Sequence, residues 1–191
     1  VAIPFLARVL APADFGLAAL ALSMVMFFTM IGDAGLGRSL VRIDASDTEA
    51  WSSAFWASVL IMLVLSALIF LLSWPAAAFF NEPRLTPIMM TLSLAPLLMG
   101  VAEIPAASLL QKEKFQWLAV AEFAAAMAGI VVALAVAFNG GGAWALVWQH
   151  LTQRIVKGLV VQLASRLYPR LVLNLGRLKE HARFMIDTAA W

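Results

Sequence analysis

Apolar residues in this chain come in long unbroken blocks rather than in the alternation expected of a surface strand or helix. No Asp, Glu, Lys or Arg occurs between residues 50 and 81 or between 123 and 153. Residues 15–32 and 85–102 are shorter charge-free runs, each close to the roughly 18-residue length that marks a membrane-crossing helix. Polar and turn-forming clusters separate the blocks. Ala11-Pro12-Ala13-Asp14 reads as a turn with Asp14 as helix N-cap, and Gly32-Asp33-Ala34-Gly35-Leu36-Gly37 opens a loop of mixed charge. Pro75, Asn81, Glu82 and Pro83 mark another turn, residues 111–116 a charged one, and Asn139-Gly140-Gly141-Gly142 a tight one.

The pattern predicts an all-α, polytopic transmembrane bundle over residues 1–183. A partial helix over 1–10 is followed by helices over 15–31, 51–74, 85–110, 117–138 and 143–167. A basic connector then runs to residue 183, and 184–191 opens a seventh helix. Trp51 and Trp74 sit where interfacial aromatic belts belong. Pro96 and Pro105 each remove a hydrogen bond and predict kinks in 85–110. Ala125, Gly129, Ala133 and Ala137 form a small-residue row that permits close helix approach. Val1 falls inside an apolar run and Trp191 inside the start of another, so the expectation is a bundle truncated at both ends.

Composition agrees. The chain is 63% hydrophobic and 13% charged, against about 45–50% and about 25% for average soluble chains. It has no Cys, which excludes disulfides and thiolate metal sites. The basic residues are scattered over short loops rather than gathered in one patch, which speaks against nucleic acid as a partner. Membrane topology orders them instead. The loops after the predicted second, fourth and sixth helices carry nine of the 13 Lys and Arg, and the other loops carry two, Arg8 and Arg84. By the positive-inside rule the first set is cytoplasmic, and so is the N-terminus.

Residues 143–167 depart from the apolar pattern. Gln149, His150, Gln153, Arg154 and Lys157 fall within them, with His150, Arg154 and Lys157 on one helix face. Arg154 lies near mid-helix, where a charge costs at least about 2.5–3.5 kcal/mol unless it meets a partner or a wet cavity. A polar path through the membrane is the reading favoured for Arg154. Lys157 snorkelling to the interface, and Gln149 and Gln153 merely joining helices, are the alternatives for those residues.

Several stretches resemble a known family. ARVLAPADFGLAALALSMVMFFTMIGDAGLGRSLVR, AAFFNEP, LLQKEKFQWLAVAE and GGGAWALVWQHLTQRIVKGLVVQLASRLYPRL follow, in order, the pattern of the polysaccharide-biosynthesis flippases of the O-antigen and colanic-acid exporter (Wzx) type. Asp14-Phe15-Gly16 and Ala143-Trp144-Ala145-Leu146-Val147 carry most of that weight. The resemblance implies membership of the multidrug/oligosaccharidyl-lipid/polysaccharide exporter superfamily, with this chain as the N-terminal six-helix lobe of a two-lobe flippase. It also implies an undecaprenyl-diphosphate-linked oligosaccharide as substrate and the bacterial inner membrane as location. Alternating access through a cationic cavity would carry the substrate for lipopolysaccharide or exopolysaccharide biosynthesis, with polysaccharide polymerase machinery as a partner.

On that reading Arg154 and Lys157 meet diphosphate, and Gln149, Gln153 and His150 meet sugar hydroxyls. Glu122, Glu103 and Asp33 are either ion-pair partners or sites for a coupling cation or proton, the local pair with Arg38 or a turn hydrogen bond being favoured for Asp33. No catalytic residue, metal or cofactor is expected, because no ligand set or nucleophile–base pair stands at workable spacing. The rivals are a drug or cation antiporter of the same superfamily, which needs an acidic cavity, a membrane glycan polymerase or ligase, which needs a long outward loop, and a scaffold that transports nothing.

Overall fold

A computed structural model describes residues 11–32 and 48–166. Every element among them is a helix: α1 (Pro12–Gly32), α2 (Thr48–Phe79), α3 (Leu85–Leu92), α4 (Leu94–Gln111), α5 (Phe115–Phe138) and α6 (Trp144–Ser165). The predicted partial helix over 1–10, Asp33, the connector from 167 and the helix opening at 184 lie outside the described residues. Four stretches are long and apolar enough to cross a membrane: Pro12–Met30, Trp51–Phe79, Leu85–Gln111 and Phe115–Phe138. With its 22 residues, α6 is also long enough at about 33 Å. Its polar side chains, Gln149, His150, Gln153, Arg154, Lys157 and Gln162 among them, keep it from being apolar enough.

The helices run up and down. At one end Arg84, before α3, reaches Asp14 in the first turn of α1 (Nη1–Oδ1 3.3 Å) and Glu82 (Nε–Oε1 2.9 Å). Gly142, before α6, lies so near that a Cβ there would come within 2.8 Å of Asp14 Oδ2, and its φ of +51° also favours glycine. The hydrogen bond from Arg84 holds the exposed Glu82 carboxyl below its usual range. At the other end lie Lys112, Lys114 and Arg166.

Boundaries shift from expectation in three places, each for a physical reason. α1 starts at Pro12 rather than Phe15, with Pro in the first-turn position where its missing N–H costs nothing. Asp14 is therefore not the N-cap. It sits in the first turn, where the helix dipole favours a carboxylate. α2 does not stop at Trp74 but continues through Pro75 to Phe79, because Ala76 and Ala77 join a core cluster with α1 and α3. It ends where Asn81 takes a left-handed φ of 51°. The helix expected over 85–110 is divided at Ser93. Pro96 has no N–H for the carbonyl of Leu92, the last residue of α3. Ser66 of α2 donates to the Ser93 carbonyl, and Ser93 Oγ donates to Met90 O at 2.6 Å, so serine hydroxyls replace part of the interrupted ladder. Pro105, by contrast, sits inside α4 without dividing it.

Packing is that of a membrane protein. The large apolar side chains Val64, Leu71, Phe123 and Val131 are 61–69% exposed, which fits contact with lipid. Inside, α2 turns a stripe of Ser58, Met62, Ser66, Ile69 and Ser73 inward, all buried. Gly100 of α4 meets that stripe, and a Cβ there would come within 2.9 Å of Met62 and 3.2 Å of the Ser58 carbonyl. Gly100→Leu in the full-length protein is expected to lower stability by about 1–3 kcal/mol through overpacking. A fall in the unfolding midpoint in detergent checks it, and an unchanged midpoint would show that the seam is not close-packed.

Candidate functional site

The site is built where α6 lies on α5. Five small residues of α5, Ala121, Ala125, Gly129, Ala133 and Ala137, are buried along one face. Successive members are four apart, so they stack into a row over which another helix backbone settles. The approach is closest at Gly129. A Cβ there would fall 2.6 Å from Gln153 Cγ and 3.1 Å from the Gln149 carbonyl oxygen. On its other side α6 packs on α4, with Gly158 facing Ala102, and Val161 joining Leu109 and Ala121 in a buried cluster.

Between α5 and α6 a pocket of about 220 Å³ is lined by Glu122, Ala125, Ala126, His150, Gln153 and Arg154. The methyl-sized side chains of Ala125 and Ala126 leave its volume to the polar groups. Arg154 stands ten residues into α6 from Trp144, about 15 Å along the axis and near its middle. It is half-buried, and among the described residues it has no hydrogen-bond or ion-pair partner. Its five donors are thus available to an acceptor in the pocket.

Lys157 behaves differently. One turn further along α6, its Nζ bonds Glu122 Oε1 of α5. Glu122 thereby ties the two helices and contributes a carboxylate to the pocket's edge. Pairing matters because either charge alone would be left in a largely apolar setting.

The structure thus brings together His150, Gln153, Arg154 and Glu122, with Lys157 joined through Glu122. Gln149 does not line the pocket, although its backbone carbonyl is held over Gly129. Glu103 lies elsewhere, in the α2–α4 seam, where Ser58 Oγ donates to its Oε2 at 2.8 Å. Asp33 falls outside the described residues. Sequence reading missed Ser58 as a partner for Glu103. The available signal was the spacing of Ser58, Ser66 and Ser73 on one face of an otherwise apolar helix. No group of three or more metal-ligating residues occurs among the described residues.

Helices of this length and apolarity, with an arginine and a pocket between two of them, define a multi-pass helical membrane protein. The chain belongs to the polysaccharide biosynthesis protein family, whose model matches residues 5–190. It is 33% identical over 185 residues, 96% of its own length, to the succinoglycan biosynthesis transport protein ExoT of Rhizobium meliloti (strain 1021). It spans 37% of that relative's length. No solved structure matches the chain.

The pairing of Glu122 with Lys157 makes a coupling prediction. In the full-length protein, Glu122→Gln and Lys157→Gln are each expected to destabilise. The double variant should recover part of the loss, with a coupling of about 0.5–3 kcal/mol. Unfolding midpoints of the four proteins measure it, and simple additivity would mean that the two charges act independently.

Proposed function

We propose that the chain forms one lobe of a polysaccharide exporter that moves an undecaprenyl-diphosphate-linked oligosaccharide across the bacterial inner membrane. The oligosaccharide would serve exopolysaccharide or lipopolysaccharide biosynthesis, and the protein would act as a transporter rather than an enzyme. The observation that carries this reading is Arg154, at mid-helix, half-buried and beside a polar pocket. A guanidinium offers two parallel hydrogen bonds to a phosphate, and His150 and Gln153 in the same pocket suit sugar hydroxyls. The transport role in the name of the Rhizobium meliloti relative supports the same direction.

Transport by alternating access would expose the α5–α6 pocket to each side in turn, with the lipid tail remaining in the bilayer. The distribution of charge supports an orientation. Lys112, Lys114 and Arg166 lie at one end and Arg84 at the other, so the Lys112 end is cytoplasmic under the positive-inside rule. A helix over residues 1–10 would then start in the cytoplasm.

Two features weigh against a cation antiporter. Glu122 is engaged by Lys157 and Glu103 by Ser58, and the intramembrane charge on α6 is basic. A carboxylate already held by a lysine is weak ground for a cation site.

The test is complementation of a flippase-deficient strain by the full-length protein, with surface polysaccharide and the pool of lipid-linked oligosaccharide both measured. Arg154→Ala, at wild-type membrane level, is expected to cut surface polysaccharide about tenfold or more. That is the loss anticipated for removing a charge-assisted contact of about 1.5–3 kcal/mol. The lipid-linked pool should rise in step, and Arg154→Lys should restore part of the export. Full export by Arg154→Ala would remove the cationic-cavity reading.

A further inference from the structure

A second and larger concavity lies toward the Lys112 end of the helices. It is a groove of about 840 Å³ between the α4–α5 loop, the start of α5 and the end of α6. Lys112, Lys114 and Arg166 line it, together with Trp117, Val120, Val160 and Leu163, and among the described residues no carboxylate does. Glu113, between the two lysines in sequence, is exposed and turns through a left-handed φ of 54°. Lys112 is the C-cap of α4 and Arg166 the C-cap of α6, so both cations also complement helix dipoles.

Dipole complementarity alone would not require an apolar wall beside the charges. Here the wall is present and open. Leu163 is 76% exposed, Val120 49% and Trp117 43%. Lys112 and Lys114 flank the junction of two helices long and apolar enough to cross a membrane, Arg166 ends α6 beside them, and the apolar side chains lie about one to two turns further along the helices. Charge above and hydrocarbon below is the complement of a lipid with a phosphate head. Arg154 is twelve residues from Arg166 along α6, about 18 Å, and no residue lines both the groove and the α5–α6 pocket.

We infer that this groove binds an anionic phospholipid of the surrounding bilayer. Its headgroup phosphate sits on Lys112, Lys114 and Arg166, and an acyl chain lies along Val120, Val160 and Leu163. The lipid covers the junction of the α4–α5 loop with the end of α6.

Native mass spectrometry of the detergent-purified full-length protein tests this, with phosphatidylglycerol, phosphatidylethanolamine, inorganic phosphate and undecaprenyl diphosphate as probes. Phosphatidylglycerol is expected to bind in preference to phosphatidylethanolamine. Its affinity should fall about fivefold for each cation changed to Gln, in line with the usual contribution of a basic residue at an anionic surface. Lys112→Arg with Lys114→Arg should retain it. If the triple variant Lys112→Gln, Lys114→Gln, Arg166→Gln does not elute as the wild type does, the single changes at the exposed Lys112 and Lys114 carry the test. Equal retention of the two phospholipids, or undiminished binding by the Gln variants, overturns the inference. So does displacement of phosphatidylglycerol by matched inorganic phosphate, which would make the groove a simple anion site. Displacement by undecaprenyl diphosphate at lower concentration overturns it in favour of cargo. Loss of export in Arg154→Ala has no bearing on any of these readings.

Discussion

A helix that carries Gln149, His150, Gln153, Arg154 and Lys157 among apolar neighbours needs one of them close enough to shelter those groups. The row from Ala121 to Ala137 on α5 meets that need. Alanine and glycine bury little apolar area, so the row is not favoured for its own hydrophobic gain. In lipid, where tails are as apolar as leucine, close backbone approach and the resulting contacts drive association instead. The same smallness leaves volume between the helices. Ala125 and Ala126 floor the pocket, and Gly129 yields its side-chain space to Gln153. One property of α5 therefore does two things, holding α6 near and giving its polar side chains room.

That dependence explains which parts of the architecture were legible in the sequence. Charge-free runs define helices in a bilayer because each must satisfy its own backbone, so the long helices could be read directly. The small-residue row was legible because spacing by four is a property of one helix. Partner choice was not legible. Glu122 and Lys157 are 35 residues apart, and sequence alone left Arg154 and Lys157 equally eligible for Glu122. The packing of α5 on α6 decided for Lys157.

Local punctuation misled where tertiary packing overrode it. Pro75 reads as a stop, yet α2 runs through it because the alanines beyond it have a core to enter. Asp14 reads as a cap, yet its carboxylate serves Arg84 from inside the first turn. The serines of α2 sit in an otherwise apolar run. In the fold their hydroxyls reach the α4 carboxylate of Glu103 and the carbonyl of Ser93 at the division between α3 and α4. In each case the residue's meaning came from a partner on another helix, and no window along the chain contains that partner.

Charge is also sorted by depth along α6. Beside its first residues, Arg84 bridges Asp14 and Glu82 and fastens the start of α3 to the start of α1. Toward its last turns Lys157 is neutralised by Glu122. Arg154 lies between these two ion-paired sites. A direct bond from a carboxylate would make that charge purely structural, as Glu122 does for Lys157. Among the described residues no side chain bonds the guanidinium, which borders the pocket with Glu122 on the same lining. The cost of keeping a cation at that depth is therefore met either by water in the pocket or by an anion that enters it, and only the second relieves the cost in step with a bound cargo.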